Sequence, residues 1–119
     1  MINIRRIVPN INSSKMEESR KFYINFLGLV AAMDMDWIVT YVSPNNPTAQ
    51  ISLLRSEEAI SQTNFSLTIE VDDVDAMHTI AISNNIEIIY PLTDEPWGVR
   101  RFHVVDPNGV VINVMKHMK

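Results

Sequence analysis

The sequence predicts an α+β protein made of two consecutive βαβββ modules, whose strands form a curled mixed sheet with a cup on one face. Segments with strand and helix patterns follow one another in the same order twice. Landmarks in the two halves lie about sixty residues apart: Trp37 corresponds to Trp97, and residues 42–45 correspond to residues 105–108. A single domain is therefore expected, with its parts at residues 1–55 (module one), 56–64 (linker) and 65–119 (module two).

Module one begins with a segment rich in Ile and Val, which predicts a strand over residues 2–11. Ser14 and Glu17 have the spacing of a capping box, and Gly28 supplies a left-handed stop. A helix is therefore expected over residues 15–27. Its buried stripe is predicted to be Met16, Ser19, Phe22, Tyr23, Phe26 and Leu27. Three short strands complete the module, over residues 29–35, 37–43 and 49–55.

Module two begins with a strand over residues 65–71, in which apolar and polar residues alternate. Asp72 and Asp73 are expected to cap a helix that ends at residues 84–85. Three strands are predicted after the helix, over residues 86–90, 99–105 and 110–115. The turn at residues 106–109 joins the last two strands, because its Pro presets φ and its Gly accepts a positive φ.

Strand parity places one set of side chains against the helices and the other set on the open face of the sheet. The set expected to pack inward includes Ala49, Ile51, Leu53, Phe65, Leu67, Ile69, Phe102 and Val104. The set expected on the open face includes Gln50, Ser52, Ser66, Thr68, Glu70, Arg101, His103 and Asn113. Polar groups that converge in an apolar hollow are typical of a small-molecule site.

Three stretches carry recognisable motifs. Residues 19–28 match the pattern S-x-x-FY-x-x-x-LG, residues 71–75 match V-D-D-V-D, and residues 96–109 match P-W-G-x-R-x-F followed by D-P-x-G. With these motifs the chain resembles the vicinal-oxygen-chelate superfamily, which contains glyoxalases, bleomycin resistance proteins and extradiol dioxygenases. The resemblance covers nearly the whole chain. It implies paired βαβββ modules, a cup-shaped sheet and a homodimer.

The resemblance also implies where a divalent metal would bind. Enzymes of the group use four side chains, typically His, Glu or Gln, from the first and last strands of both modules. The corresponding positions here are Arg6, Gln50 or Ser52, Ser66 and Asn113. Only Gln50 is a possible weak ligand, and the charge of Arg6 repels a cation. We therefore expect no metal cofactor, and no Lewis-acid chemistry at these positions.

Several open-face residues allow two interpretations. His103 is either a general base or a polar residue in a wet groove. Glu70 either binds a cationic ligand or pairs with Arg101. Arg101 either clamps a carboxylate or phosphate or forms a surface ion pair. Trp37 and Trp97 either line a flat ligand or serve packing. The candidate catalytic residues are thus His103 and Glu70.

Composition excludes several other functions. The net charge of −4 and the lack of a basic face argue against a nucleic-acid partner. No apolar run is long enough to span a membrane, and the absence of cysteine excludes thiol chemistry. No apolar stretch follows a basic start, so a cytoplasmic location is expected.

Three functions remain. The favoured hypothesis is a metal-independent protein that binds a small, partly aromatic molecule, such as an antibiotic, and sequesters it. The second is a glyoxalase- or dioxygenase-like enzyme, a lyase or isomerase, that uses His103 and Glu70 or a metal at displaced positions. The third is a domain whose open face binds a protein partner.

Overall fold

Two units with the order β-α-β-β-β follow one another along the chain, which confirms the two βαβββ modules predicted from the sequence. The computed structural model describes residues 2–57 and 66–118. The two units span Met1–Ile60 and Ser61–Lys119. Most of the predicted linker, residues 58–64, and Phe65 lie outside the described residues. Neither of the described helices combines the length and the apolar character that crossing a membrane would require.

The first unit contains a four-stranded mixed sheet in the order β1-β4-β3-β2. Its elements are β1 (Asn10–Ser13), α1 (Met16–Arg20), a π-helical continuation (Lys21–Phe26), β2 (Val30–Asp34), β3 (Ile38–Ser43) and β4 (Asn46–Arg55). Strand β1 runs parallel to β4, and the other pairs are antiparallel. Residues 2–9 form no strand, so the strand predicted over residues 2–11 is wrong for this part. Pro9 has no N–H for the ladder, and only its carbonyl bonds to the sheet, accepting from Ser52.

The helix of the first unit begins differently from the prediction. The capping box at Ser14 and Glu17 is wrong, because no side chain caps this helix. Ser13, which is 1% exposed, instead accepts a hydrogen bond from the backbone N–H of Lys15 at 3.0 Å. Except at Leu27, which is only half-buried, the predicted stripe is confirmed. Its Tyr23 ring stacks on Tyr41 of β3 at a centroid distance of 5.6 Å and so joins the helix to the sheet.

The second unit has a sheet with the equivalent order, β5-β8-β7-β6. Its elements are β5 (Ser66–Glu70), α2 (Val74–Ser83), β6 (Ile88–Glu95), β7 (Val99–Val105) and β8 (Val111–His117). Asp73 caps α2 as predicted, accepting from the N–H of Ala76 at 3.0 Å. Strand β6 extends five residues beyond its predicted end at Tyr90, because Glu95 pairs with Val99 of β7.

Strand parity is confirmed in β7 and β8. The side chains that form the core of this unit are 0% exposed and include Phe102, Val104, Ile112 and Val114. Their neighbours Arg101, His103 and Asn113 are only half-buried. One position in β4 differs from the prediction, because Ala49 is exposed near the turn from β3. Ser52 lies on the same side as Gln50, as predicted, although it is only 4% exposed.

Candidate functional site

The first unit has a cavity of about 570 Å³ on the face of its sheet that lies opposite the helix. Its apolar lining consists of Val8, Ala32, Met33, Ile38, Val42 and Pro47. Its polar lining consists of Arg6, Asn10, Thr40, Gln50 and Ser52. The volume lies within the range of small-molecule sites, and the mixture of apolar walls with a few polar groups is typical of them.

Arg6 and Gln50 are directly bonded in this cavity. The Arg6 Nη1 donates to Gln50 Oε1 at 2.7 Å, and the Gln50 amide donates in turn to the Pro47 carbonyl at 3.0 Å. The Gln50 amide is therefore held at both ends. Strand parity correctly predicted that Gln50 lies on the open face of the sheet.

A row of paired side chains crosses each sheet at equivalent positions. In the first unit, Thr40 of β3 lies opposite Ser52 of β4, and their hydroxyls form a buried hydrogen bond of 2.7 Å. In the second unit, His103 of β7 lies opposite Asn113 of β8. Asn113 also donates to the Thr68 hydroxyl of β5 at 3.3 Å. The structure thus brings Thr68, His103 and Asn113 together, as the sequence predicted for one face of the sheet.

The pair in the second unit leaves two polar atoms unused. His103 Nε2 and Asn113 Oδ1 are buried, and neither has a hydrogen-bond partner among the described residues. Burial lowers the pKa of His103; the charge of Arg101 lowers it further, whereas Glu95 opposes this effect. The imidazole is therefore mainly neutral near pH 7. A neutral imidazole can accept a proton, which is the property that a general base requires.

Arg101 forms an ion pair, which was one of its two predicted roles. Its Nε lies 2.7 Å from Glu95 Oε2, and its guanidinium lies 5.3 Å from the Tyr90 ring centre and 5.2 Å from that of Trp97. The Tyr90 hydroxyl also donates to Glu95 at 2.7 Å. This hydrogen bond and the Arg101 contact lower the pKa of Glu95. These contacts hold Arg101 in the protein rather than presenting it to a ligand.

The predicted pairing of Glu70 with Arg101 is wrong. Glu70 Oε2 lies 3.0 Å from His117 Nδ1, and both side chains are more than half exposed. The structure therefore does not show Glu70 in contact with His103. Sequence reasoning missed Glu95 because its strand was predicted to end at Tyr90.

The remaining predicted ligand-binding residues lie at exposed positions. Ser66 is exposed at the start of β5. Trp37 is 56% exposed and is not part of the cavity lining in the first unit. Trp97 is 63% exposed and packs one face against Arg101.

The side chains at the metal positions that the sequence resemblance implies do not fit a divalent cation. In the first unit, a guanidinium already donates to the amide oxygen of Gln50, and the hydroxyl of Ser52 bonds to Thr40. In the second unit, Ser66 and Asn113 offer a hydroxyl and an amide. Divalent cations prefer carboxylate or imidazole ligands to a side-chain hydroxyl or amide. Within residues 2–57 and 66–118, no three His, Asp or Glu side chains are grouped to hold a metal ion.

The lowered pKa of His103 predicts a dependence of stability on pH. An unfolded His titrates near pH 6.5, and the pKa of His103 in the folded protein is lower. As pH falls, the unfolded chain is therefore protonated at a higher pH than the folded protein. This contribution to the free energy of unfolding is present above about pH 6.5 and is lost as pH falls through the folded pKa. In urea denaturation at pH 7.5 and pH 5, His103→Gln is expected to lose less stability on acidification than the parent protein. Equal losses would contradict the shift.

Comparisons with known proteins agree with this architecture. The sequence profile of the glyoxalase-like domain matches residues 6–119. The chain is similar to a glyoxalase/bleomycin resistance protein/dioxygenase from Nocardioides, with a TM-score of 0.76, 16% identity, and coverage of 100% of this chain and 87% of that chain. A second structure of that description, from Alicyclobacillus acidocaldarius, has a TM-score of 0.74, 17% identity, and coverage of 96% and 92%.

A protein of unknown function from Agrobacterium tumefaciens str. C58 is 26% identical, with a TM-score of 0.76 and coverage of 99% of this chain and 96% of that chain. No curated protein sequence matches the chain significantly. The structural matches therefore support the fold, and the profile match supports the family.

Proposed function

The chain belongs to the glyoxalase-like domain family, as its motifs predicted, and from this membership we propose that it binds a small molecule without a divalent metal. The observation that carries the proposal is the 2.7 Å hydrogen bond between Arg6, whose side chain is exposed, and Gln50 in the lining of the first-unit cavity. A guanidinium at this place disfavours a second cation, because like charges repel at short range. The cavity itself remains available to an organic ligand.

The lining of the cavity supports a ligand with an extended apolar surface. Met33, Ile38 and Val42 contribute side chains that gain from contact with an apolar ligand, by roughly 25 cal/mol for each Å² removed from water. The buried Thr40 and Ser52 hydroxyls bond to each other, so neither needs a ligand to compensate for burial. A small, partly aromatic compound fits these conditions, and sequestration of such a compound is the proposed role.

Metal analysis of the purified protein tests the proposal. Because the available side chains are neutral or cationic, we expect elemental analysis to find much less than one Zn, Ni, Mn or Fe per chain. A screen of aromatic compounds by thermal shift is expected to give compounds that raise the melting temperature, since a ligand that binds only the folded state stabilises it.

The control for this experiment is the same screen after treatment with EDTA. Ligands are expected to give equal shifts before and after treatment. One tightly bound divalent ion per chain, or ligand binding that requires such an ion, would refute the proposal.

A second candidate function is catalysis in the second unit. The specific observation in its favour is that His103 Nε2 and Asn113 Oδ1 are buried side by side without a partner in the described part of the chain. Buried groups left unpaired cost free energy and are frequent at sites that meet a substrate or an ordered water. A lyase or isomerase would use His103 as a base. Loss of turnover in His103→Gln with unchanged ligand binding would favour this alternative.

The open cavity favours a small-molecule ligand over a protein partner, because a surface that binds a protein does not need a cavity of this size. The proposal also includes a homodimer and a cytoplasmic location, which rest on the family resemblance and the sequence. Light scattering coupled to size-exclusion chromatography measures the first of these, and a mass of one chain would exclude it.

A further inference from the structure

We propose that the ligand of the first-unit cavity is an organic anion, with one carboxylate or similar planar anionic group bound by Arg6 and a flat apolar body beyond it. This inference rests on the proposed function and names the class of ligand. It follows from the charges in the cavity, from the hydrogen bonds around Arg6 and from the apolar walls beside it.

The charge in the cavity has one sign. Of the eleven described residues that line it, Arg6 alone carries a charge, and none is acidic. The guanidinium bonds to the neutral Gln50 amide and, within the described residues, to no carboxylate. In contrast to Arg6, four arginines of the described residues form ion pairs, namely Arg20, Arg55, Arg100 and Arg101. Arg6 thus differs from them: its exposed side chain lines a cavity and has no ion-pair partner among the described residues.

The hydrogen bonds of Arg6 leave donors for a ligand. A guanidinium has five N–H donors, and the bond to Gln50 uses one of them, on Nη1. Because the Pro47 carbonyl accepts from the Gln50 amide, the oxygen that Arg6 contacts is held in place before a ligand arrives. A carboxylate can accept two parallel N–H bonds from such a group, which is the strongest common arrangement for this pair.

The apolar walls determine the rest of the ligand. Ile38 and Val42 lie on one face of β3, on either side of Thr40, and Met33 lies opposite Thr40 on β2. Side chains of this kind stabilise an aromatic or branched aliphatic body by removing its surface from water. A small inorganic anion would leave these walls unused, so the inference concerns amphipathic anions.

Paired ligands of equal shape test the inference. The probes are 2-naphthoate, which is anionic, and 2-naphthamide, which is neutral, and calorimetry or ligand-detected NMR measures their Kd. We expect the naphthoate to bind about tenfold more tightly, the gain typical of one charge-assisted contact in a solvated site. Arg6→Gln is expected to reduce naphthoate binding to the level of the amide, whereas Arg6→Lys retains part of the preference.

Arg5→Gln is the matched control, because Arg5 is the preceding residue, has the same charge and does not line the cavity. It is expected to leave both Kd values unchanged, and circular dichroism verifies that each variant is folded. Equal Kd values for the two probes, or an undiminished preference in Arg6→Gln, would overturn the anion inference while the proposed function stands. Failure of both probes to bind at millimolar concentration also overturns it. The compound screen described above judges the proposed function separately.

Discussion

Replacing Phe102 with alanine is expected to lower the free energy of unfolding by about 3–5 kcal/mol. Phe102 is 0% exposed in β7, and its ring meets the ring of His78 from α2 edge-on at 5.1 Å. Truncation removes this contact between the helix and the sheet and leaves a void, because closely packed cores relax only in part. Urea denaturation followed by circular dichroism measures the loss.

The control for Phe102→Ala is His103→Ala, at the next residue of the same strand but on the other face. Its half-buried ring contacts only Tyr90 among the described rings, at 4.8 Å, and its Nε2 has no partner among the described residues, so the substitution is expected to cost about 1 kcal/mol, well below Phe102→Ala. Similar losses for both variants would show that the two faces of β7 are not distinguished in packing. The difference therefore tests the strand parity on which the placement of the polar face depends.

Asp106→Ala is expected to cost about 2–4 kcal/mol. Asp106 is 3% exposed, and its Oδ1 accepts from the backbone N–H groups of Asn108 at 2.9 Å and Val110 at 2.8 Å. Alanine leaves the N–H of Val110 buried without this partner. The turn also requires Gly109, which has a φ of +86°. Thermal and urea unfolding of the variant measure the loss.

Asp106→Asn is the matched variant, because its side chain retains a carbonyl oxygen that can accept from both N–H groups. Its loss of unfolding free energy is expected to be less than half of the loss in Asp106→Ala. Equal losses would indicate that charge, rather than the hydrogen bonds of the turn, carries the effect. Since this turn joins β7 to β8, it also contributes to the register that sets His103 opposite Asn113.

Local pattern was sufficient for most of the fold. The strand predicted over residues 99–105 coincides with β7, and the predicted cap of the second helix is present at Asp73. The errors occur where local signals compete with long-range contacts. Residues 2–9 have the composition of a strand, but Pro9 cannot donate to a ladder. Glu95 lies in a strand only because β7 pairs with it.

The candidate site was predicted in part. Strand parity placed Gln50, Ser52, His103 and Asn113 on the correct side of their strands, because side-chain direction alternates with sequence position. The partners of these side chains depend on register, which parity does not specify. The contact of Arg101 with Glu95 instead of Glu70 is of this kind.

The order of the elements, the repeat of the βαβββ module and the division of each strand into a core face and a polar face follow from sequence, because propensity, turn chemistry and alternation are local properties. The tertiary structure decided which polar groups meet. It joined Arg6 to Gln50 within a cavity and paired Thr40 with Ser52, and it left His103 Nε2 without a partner in the described residues. Such contacts require a strand register accurate to one residue and side-chain positions accurate to a fraction of an ångström, and both arise only when distant segments pack together.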